Sequence, residues 1–275
     1  MPAMPHARST SADAAFAAET PLLEARNLTK QYGASRVVDS VSLTLRRGET
    51  LGLVGESGSG KSTVARMLLR LIEPTGGTVL YDGIDLLALP PPELRAMRRR
   101  MQIVFQDPFA ALNPRMRVRD ILAEPFAIHR ERPAEGLPAR LEALLQEVGL
   151  DSAALPRFPH QFSGGQRQRI NIARALALKP EFLVLDEPVS ALDVSVGAQV
   201  INLLRTLQRT HGLTYLFISH SMPLVRYLSD RVAVMQGGRI VETGNVLEVC
   251  EHPRELYTQE LIAATPELPG FAASL

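Results

Sequence analysis

The run Thr50-Leu51-Gly52-Leu53-Val54 is short and apolar, and it leads without a break into Gly55-Glu56-Ser57-Gly58-Ser59-Gly60-Lys61-Ser62. The first stretch reads as a buried strand and the second as a glycine-rich loop. Beyond Thr63, Val64, Met67, Leu68 and Leu71 fall on one face of a helix. A strand, such a loop and a helix in that order form the context a phosphate-binding (Walker A) loop requires. The glycines let backbone N–H groups wrap phosphates, and the helix start adds its positive dipole end. Lys61 is placed to reach the outer phosphates and Ser62 to ligate Mg²⁺. A buried strand of this kind also demands neighbours on both sides and helices on both faces, so the loop constrains the fold as well as the chemistry.

The remainder of the chain supplies those neighbours. Apolar residues alternate with polar ones at Val41, Leu43 and Leu45, predicting a half-exposed strand over 37–45 that turns at Arg46-Arg47-Gly48-Glu49. Further strands are predicted at 78–81, 102–105, 182–185 and 214–219. A hairpin over 232–241 turns at Gly237-Gly238. Helices are predicted over 93–100, 165–178 and 196–208. Between 118 and about 150 the pattern is helical, with Leu141, Leu144, Leu145 and Val148 at helical spacing and Pro125, Pro133 and Pro138 as punctuation. This predicts an inserted helical subdomain in an otherwise α/β chain with a mostly parallel sheet.

The strand Phe182-Leu183-Val184-Leu185 ends in Asp186-Glu187, two carboxylates at the carboxyl edge where open α/β sheets bind ligands. Asp186 is placed to hold Mg²⁺, as a Walker B aspartate does, and Glu187 to activate or orient an attacking water. A solvated strand end before the Pro188 turn would explain the pair if it stood alone. The phosphate loop upstream weights the chemical reading.

Composition bounds the function. With a net charge of +1 and 21% charged residues, nothing predicts nucleic-acid binding, and 45% hydrophobic residues suit an ordinary globular core. Cys250 is the one cysteine, which favours a reducing compartment. No stretch approaches the roughly 18 consecutive apolar residues that span a bilayer, so any membrane role must come through partners. The first 20 residues, rich in Ala, Pro, Ser and Thr, read as a flexible tail; a transit peptide competes with that reading.

A second helix start is more specific. In Phe162-Ser163-Gly164-Gly165-Gln166-Arg167-Gln168-Arg169, Ser163 suits an N-cap, the free N–H groups can bind an anion, and the glycines permit close approach. This string resembles the signature motif of ABC transporter ATPases, and the likeness runs from residue 22 to about 266. The resemblance implies a P-loop NTPase with a RecA-like core, an antiparallel β subdomain and an inserted helical subdomain. The boundaries it implies are a tail at 1–20, an ATPase domain at 21–250 with its helical part at about 107–180, and a C-terminal extension at 251–275.

It also implies ATP and Mg²⁺ as ligands and a set of site residues. Those around the nucleotide are Gly55, Glu56, Ser57, Gly58, Ser59, Gly60, Lys61, Ser62 and Thr63, with Tyr32 stacking on adenine. Ser62, Gln106 and Asp186 stand for metal contacts, and Glu187 and His220 for catalysis. Ser190-Ala191-Leu192-Asp193 corresponds to a loop that crosses a dimer interface. Ser163, Gly164, Gly165 and Gln166 of one subunit cover ATP held by Lys61 and Ser62 of the other. Taken singly, a Tyr or His at a strand end is more often structural; the ordered series of matches changes that.

Two stretches resemble one branch of the family. Gln106 through Met116, with Phe162, are similar to the dipeptide and oligopeptide importers, as is the run from His252 through Pro266. The branch implies two membrane-spanning permease subunits, a second and related ATPase or a homodimer, an extracytoplasmic solute-binding protein reached indirectly, and a place on the cytoplasmic face of the membrane. Ser221 stands where the family often has Asp, and Leu256 where the branch has Pro. Nickel importers share this spelling and remain an alternative; a soluble relative acting on ribosomes or DNA is a further one.

Overall fold

Two sheets form because two strand patterns are present. In a computed structural model that describes residues 20–264, the half-polar strands β1 (Leu23–Tyr32), β2 (Ser35–Leu45), β4 (Gly76–Tyr81) and β5 (Ile84–Asp85) pair antiparallel in the order β2-β1-β4-β5. The apolar strands β3 (Thr50–Val54), β6 (Met101–Val104), β7 (Phe182–Asp186), β8 (Thr214–Ser219) and β9 (Arg231–Gln236), with the more polar β10 (Arg239–Asn245) at one edge, form the second sheet. Its order is β10-β9-β3-β8-β7-β6, parallel throughout except for β10 against β9. The expected tail at 1–20 lies outside the described residues except for Thr20, and the end of the C-terminal extension beyond 264 also lies outside them.

Side chains of the parallel strands alternate between two cores. Leu51, Leu53, Phe182, Val184, Leu216, Ile218, Ala233 and Met235 point to the face covered by helix α1 (Lys61–Leu68) and the antiparallel sheet. Leu183, Leu185, Tyr215, Phe217, Val232 and Val234 point the other way. There they meet α6 (Gly164–Leu176), α7 (Val194–His211) and α8 (Met222–Leu228). The register is set by this alternation. Val184 pairs with Leu216, which pairs with Leu51, so one core face is continuous, and a one-residue slip would turn every side chain to the wrong face.

Helices α2 (Pro91–Met97) and α3 (Pro108–Ala111) flank β6, and α4 (Val118–His129) and α5 (Leu137–Glu147) pack with α6 as the inserted helical unit. Pro133 and Pro138 behave as punctuation, Pro138 lying in the first turn of α5. Pro125 does not: it sits inside α4. An interior proline costs a helix about 3 kcal/mol, and burial of Val118, Ile121, Leu122 and Phe126 on the same helix offsets it. The long strand β1 has no counterpart among the predicted strands. Its alternation is blurred because the pairing slips between Ala25 and Leu28, where Asn27 takes a left-handed backbone with φ 50°.

The two sheets are tied at one edge by an ion ring. Arg47 and Arg100 each bind both Asp82 and Glu181 at 2.6–3.0 Å, and the guanidinium groups hold the Asp82 carboxyl below its ordinary range. Because these side chains are between about a third and half exposed, the ring orients the edge more than it stabilises it.

Candidate functional site

The phosphate loop leaves β3 at Val54 and enters α1 at Lys61, as predicted, and its shape is fixed from several sides. Gly55 has φ +148°, and a Cβ there would stand 2.1 Å from the Met235 carbonyl of β9, so only glycine fits. Gly60 lies against the Val37 carbonyl of β2. The turn between β9 and β10 closes the loop from behind, where the Gly238 N–H donates to the Ser59 carbonyl at 3.1 Å. Glu56, Ser57 and Gly58 face solvent at the crest, and Thr63 is half-buried on α1.

Lys61 is buried, and its Nζ donates to the Gly55 carbonyl at 2.8 Å and the Glu56 carbonyl at 2.7 Å. Burial pulls its pKa down, and the charges of Glu187, Asp186 and Glu56 oppose that shift. Ser62 Oγ donates to Asp186 Oδ1 at 2.9 Å across 124 residues of sequence. Burial pushes the Asp186 carboxyl up, while the Ser62 hydrogen bond pulls it back.

The second cluster stands at the ends of β6, β7 and β8. The Gln106 Nε2 donates to Glu187 Oε2 at 3.0 Å, and the His220 Nδ1 lies 3.5 Å from the same oxygen. Glu187 takes a left-handed backbone with φ 47°, which costs a non-glycine residue about 1 kcal/mol. Three hydrogen bonds hold it there: its N–H donates to the Ile218 carbonyl, and its carbonyl accepts from the Ser190 N–H and hydroxyl. These bonds fix where the Glu187 carboxylate stands in the cleft. The cleft is lined by Glu187, Asp193, Ser219 and His220, with Leu224 and Ala264 at its wall.

These residues fit a nucleotide and a divalent cation. The loop's curve depends on glycine at Gly55 and Gly60, where a Cβ would strike the Met235 and Val37 carbonyls. Ser62 and Asp186 are hard oxygen donors in contact with one another. Among the described residues no three His, Cys, Asp or Glu side chains gather as a metal cluster.

Other expected residues lie apart. Tyr32 ends β1, half exposed, with the Lys30 ammonium 4.9 Å from its ring centre. Ser163 caps α6, its Oγ accepting the Gln166 N–H at 3.3 Å while Gln166 Oε1 accepts the Ser163 N–H at 3.0 Å, a capping box. A Cβ on Gly165 would stand 2.3 Å from Val196 Cγ1, and one on Gly164 would stand 3.2 Å from Leu192 Cδ2. Within one chain, then, Gln166 has a local structural role and both glycines make room for the start of α7. The contacts of Ser163, Gly164, Gly165 and Gln166 are with one another and with that element, not with the phosphate loop. One residue of the site had no signal in the sequence: Tyr257, whose hydroxyl receives the Glu56 N–H at 3.0 Å.

Residues 38–190 match the sequence profile of a family described as ABC transporter. The chain belongs to that family. As an ABC transporter member it is an ATP-hydrolysing transporter subunit, one that works with membrane-spanning partners. No helix among its own described residues is long and apolar enough to cross a membrane. The oligopeptide transport ATP-binding protein AppF of Bacillus subtilis is 50% identical over 238 residues, which cover 86% of this chain and 72% of AppF. OppF of the same organism, also named an oligopeptide transport ATP-binding protein, is 49% identical over 251 residues, 89% of this chain and 82% of OppF. Among solved structures, cbiO1 of Clostridium perfringens, described as part of the ABC transporter complex cbiONQ, superposes with a TM-score of 0.76 at 27% identity, covering 85% of this chain and 92% of cbiO1. The ATP-binding cassette MJ0796, described as a dimer in a post-hydrolysis state bound to ADP and Pi, gives 0.72 at 30% identity over 82% and 98%.

One expectation follows from the burial of Asp186. A raised carboxyl pKa means the folded chain holds the proton more tightly than the unfolded chain, so the charge lowers stability above the ordinary Asp range and costs nothing below it. Asp186→Asn should therefore raise the melting temperature of the nucleotide-free protein by a few degrees at neutral pH, with the gap closing as pH falls, while magnesium-dependent turnover is lost. Thermal melts of both proteins across pH check this; a lower melting temperature for the variant at neutral pH would contradict it.

Proposed function

We propose that this chain is the ATPase motor of an importer of short peptides, peripheral on the cytoplasmic face of the membrane. The observation that carries the chemistry is the convergence of Lys61, Ser62 and Asp186 on one side and Gln106, Glu187 and His220 on the other. The names of the relatives, 49–50% identical, support peptides as the cargo.

Each residue has a role its surroundings support. Backbone N–H groups of Gly58 to Thr63 hold the phosphates of ATP, and Lys61 turns its ammonium from the loop carbonyls to the outer phosphates. Ser62, Asp186 and Gln106 would hold Mg²⁺, which when bound supplies positive charge against the phosphate oxygens. Glu187 takes the proton of a water as that water attacks the terminal phosphorus and the bridging bond breaks, releasing ADP and phosphate. Gln106 and His220 hold the Glu187 carboxylate in place, and His220 reaches the terminal phosphate. Tyr32 stacks on the base.

The capped start of α6, with Ser163, Gly164, Gly165 and Gln166, and the exposed Asp193 face a second ATPase subunit. That subunit is a related chain or a second copy, and it closes over ATP when the site is filled. Two permease subunits take up the motion, and a solute-binding protein outside delivers the cargo. The test uses proteoliposomes containing this chain with its permeases and binding protein. Di- and oligopeptides should stimulate ATP hydrolysis and be taken up. Stimulation by chelated nickel with no response to peptides would replace the cargo and leave the motor standing.

A further inference from the structure

The C-terminal segment reaches into the phosphate loop. After β10 the chain forms α9 (Val246–Glu251) and α10 (Leu256–Ala263), and the turn between them is pinned by Glu242, whose carboxylate accepts the N–H groups of Arg254 at 2.9 Å and Glu255 at 3.2 Å. This places Tyr257 at the first turn of α10 with its ring in the main core, 9% exposed. Its hydroxyl accepts the N–H of Glu56, 201 residues away in sequence, at 3.0 Å.

The geometry is specific to one peptide unit. Gly55 and Glu56 share a peptide whose N–H is taken by Tyr257 and whose carbonyl, Gly55 O, accepts from Lys61 Nζ at 2.8 Å. The Met235 carbonyl occupies the space on its third side. When Lys61 turns toward phosphate this peptide loses its inner partner and keeps the Tyr257 hydroxyl as its hydrogen-bond partner. The far end of α10 borders the cleft of Glu187 and His220 through Ala264, so one short helix touches both halves of the site.

We infer that Tyr257 is a positioning residue for the phosphate loop, through which the C-terminal segment sets the affinity of the site for nucleotide; this rests on the reading that the loop takes ATP. Removing the hydroxyl leaves a partly buried N–H without its partner and a loop that must be ordered at the moment of binding. Chemistry is spared, because Tyr257 touches none of Gln106, Glu187 or His220. By reciprocity, bound nucleotide holds the C-terminal segment more firmly in place.

Tyr257→Phe keeps the ring and removes only the hydroxyl. In the full chain, the variant should raise Kd and KM for Mg-ATP about fivefold, with kcat changed less than about twofold and the melting temperature little altered. Amide hydrogen exchange adds a measurement on the wild type alone: the Glu56 N–H should exchange slowly for a residue at a solvent-facing crest, and more slowly than those of Ser57 and Gly58. Unchanged Kd and KM in the variant, or a Glu56 amide exchanging as fast as its exposed neighbours, would overturn the proposal. A wild-type chain that fails to bind Mg-ATP would instead overturn the nucleotide reading and take this proposal with it.

Discussion

Glu187→Gln is expected to lower ATP turnover by about 10²- to 10⁴-fold while leaving Mg-ATP binding intact. The amide matches the carboxylate in size and can keep the left-handed backbone, since the three hydrogen bonds that fasten Glu187 are all made by its main chain. Asp186 and Ser62, which would hold the cation, are untouched. What disappears is the base. The amide cannot take the proton of water, and its NH₂ would face the Gln106 amide donor at 3.0 Å unless one of the two flips. With binding kept and hydrolysis lost, the ATP-bound assembly should persist, and size exclusion in Mg-ATP should show the added dimer. Turnover within tenfold of wild type would remove Glu187 from the role.

Lys61→Ala is the second large effect, and it acts one step earlier. The side chain is buried, so its removal leaves a void in the loop and takes away the ammonium held there. A charge-assisted contact of this kind is worth about 1.5–3 kcal/mol, which corresponds to roughly ten- to a hundredfold in nucleotide affinity, and hydrolysis should fall below detection. Lys61→Arg should not rescue it. The guanidinium is a broad planar fork, whereas the space between the Gly55 and Glu56 carbonyls holds a single ammonium. Near-normal activity in either variant would sink the assignment of the loop. The two predictions separate cleanly, because one variant binds normally without turning over and the other binds weakly.

Much of this site is legible in the sequence because its residues act through the backbone they interrupt. The Gly55–Ser62 string, the apolar run ending in Asp186-Glu187 and the capped start at Ser163 each join an element boundary to a chemical type, and the predicted boundaries of β3, β7 and β8 fall within a residue of those observed. What was not legible depends on tertiary contact. The roles of Gly164 and Gly165 in making room for Leu192 and Val196 could not be read from spacing, since the partner residues lie on another element. The left-handed backbone of Glu187 is held by Ile218 and Ser190, not by its own sequence. Pro125 sits inside a helix because burial on one face of α4 overrides the local preference. Tyr257 was invisible for the same reason at longer range: an aromatic in a tail reads as packing until the fold brings its hydroxyl to Glu56.

Gly55 to Ser62, with Asp186, should form a magnesium-dependent nucleotide site. Calorimetric titration of ATP into the purified wild-type chain, once with Mg²⁺ and once with EDTA, tests it directly. The prediction is saturable binding near one nucleotide per chain in Mg²⁺, sharply weakened by EDTA and by Lys61→Ala. No measurable binding by the wild type, or binding that neither EDTA nor Lys61→Ala alters, would contradict it.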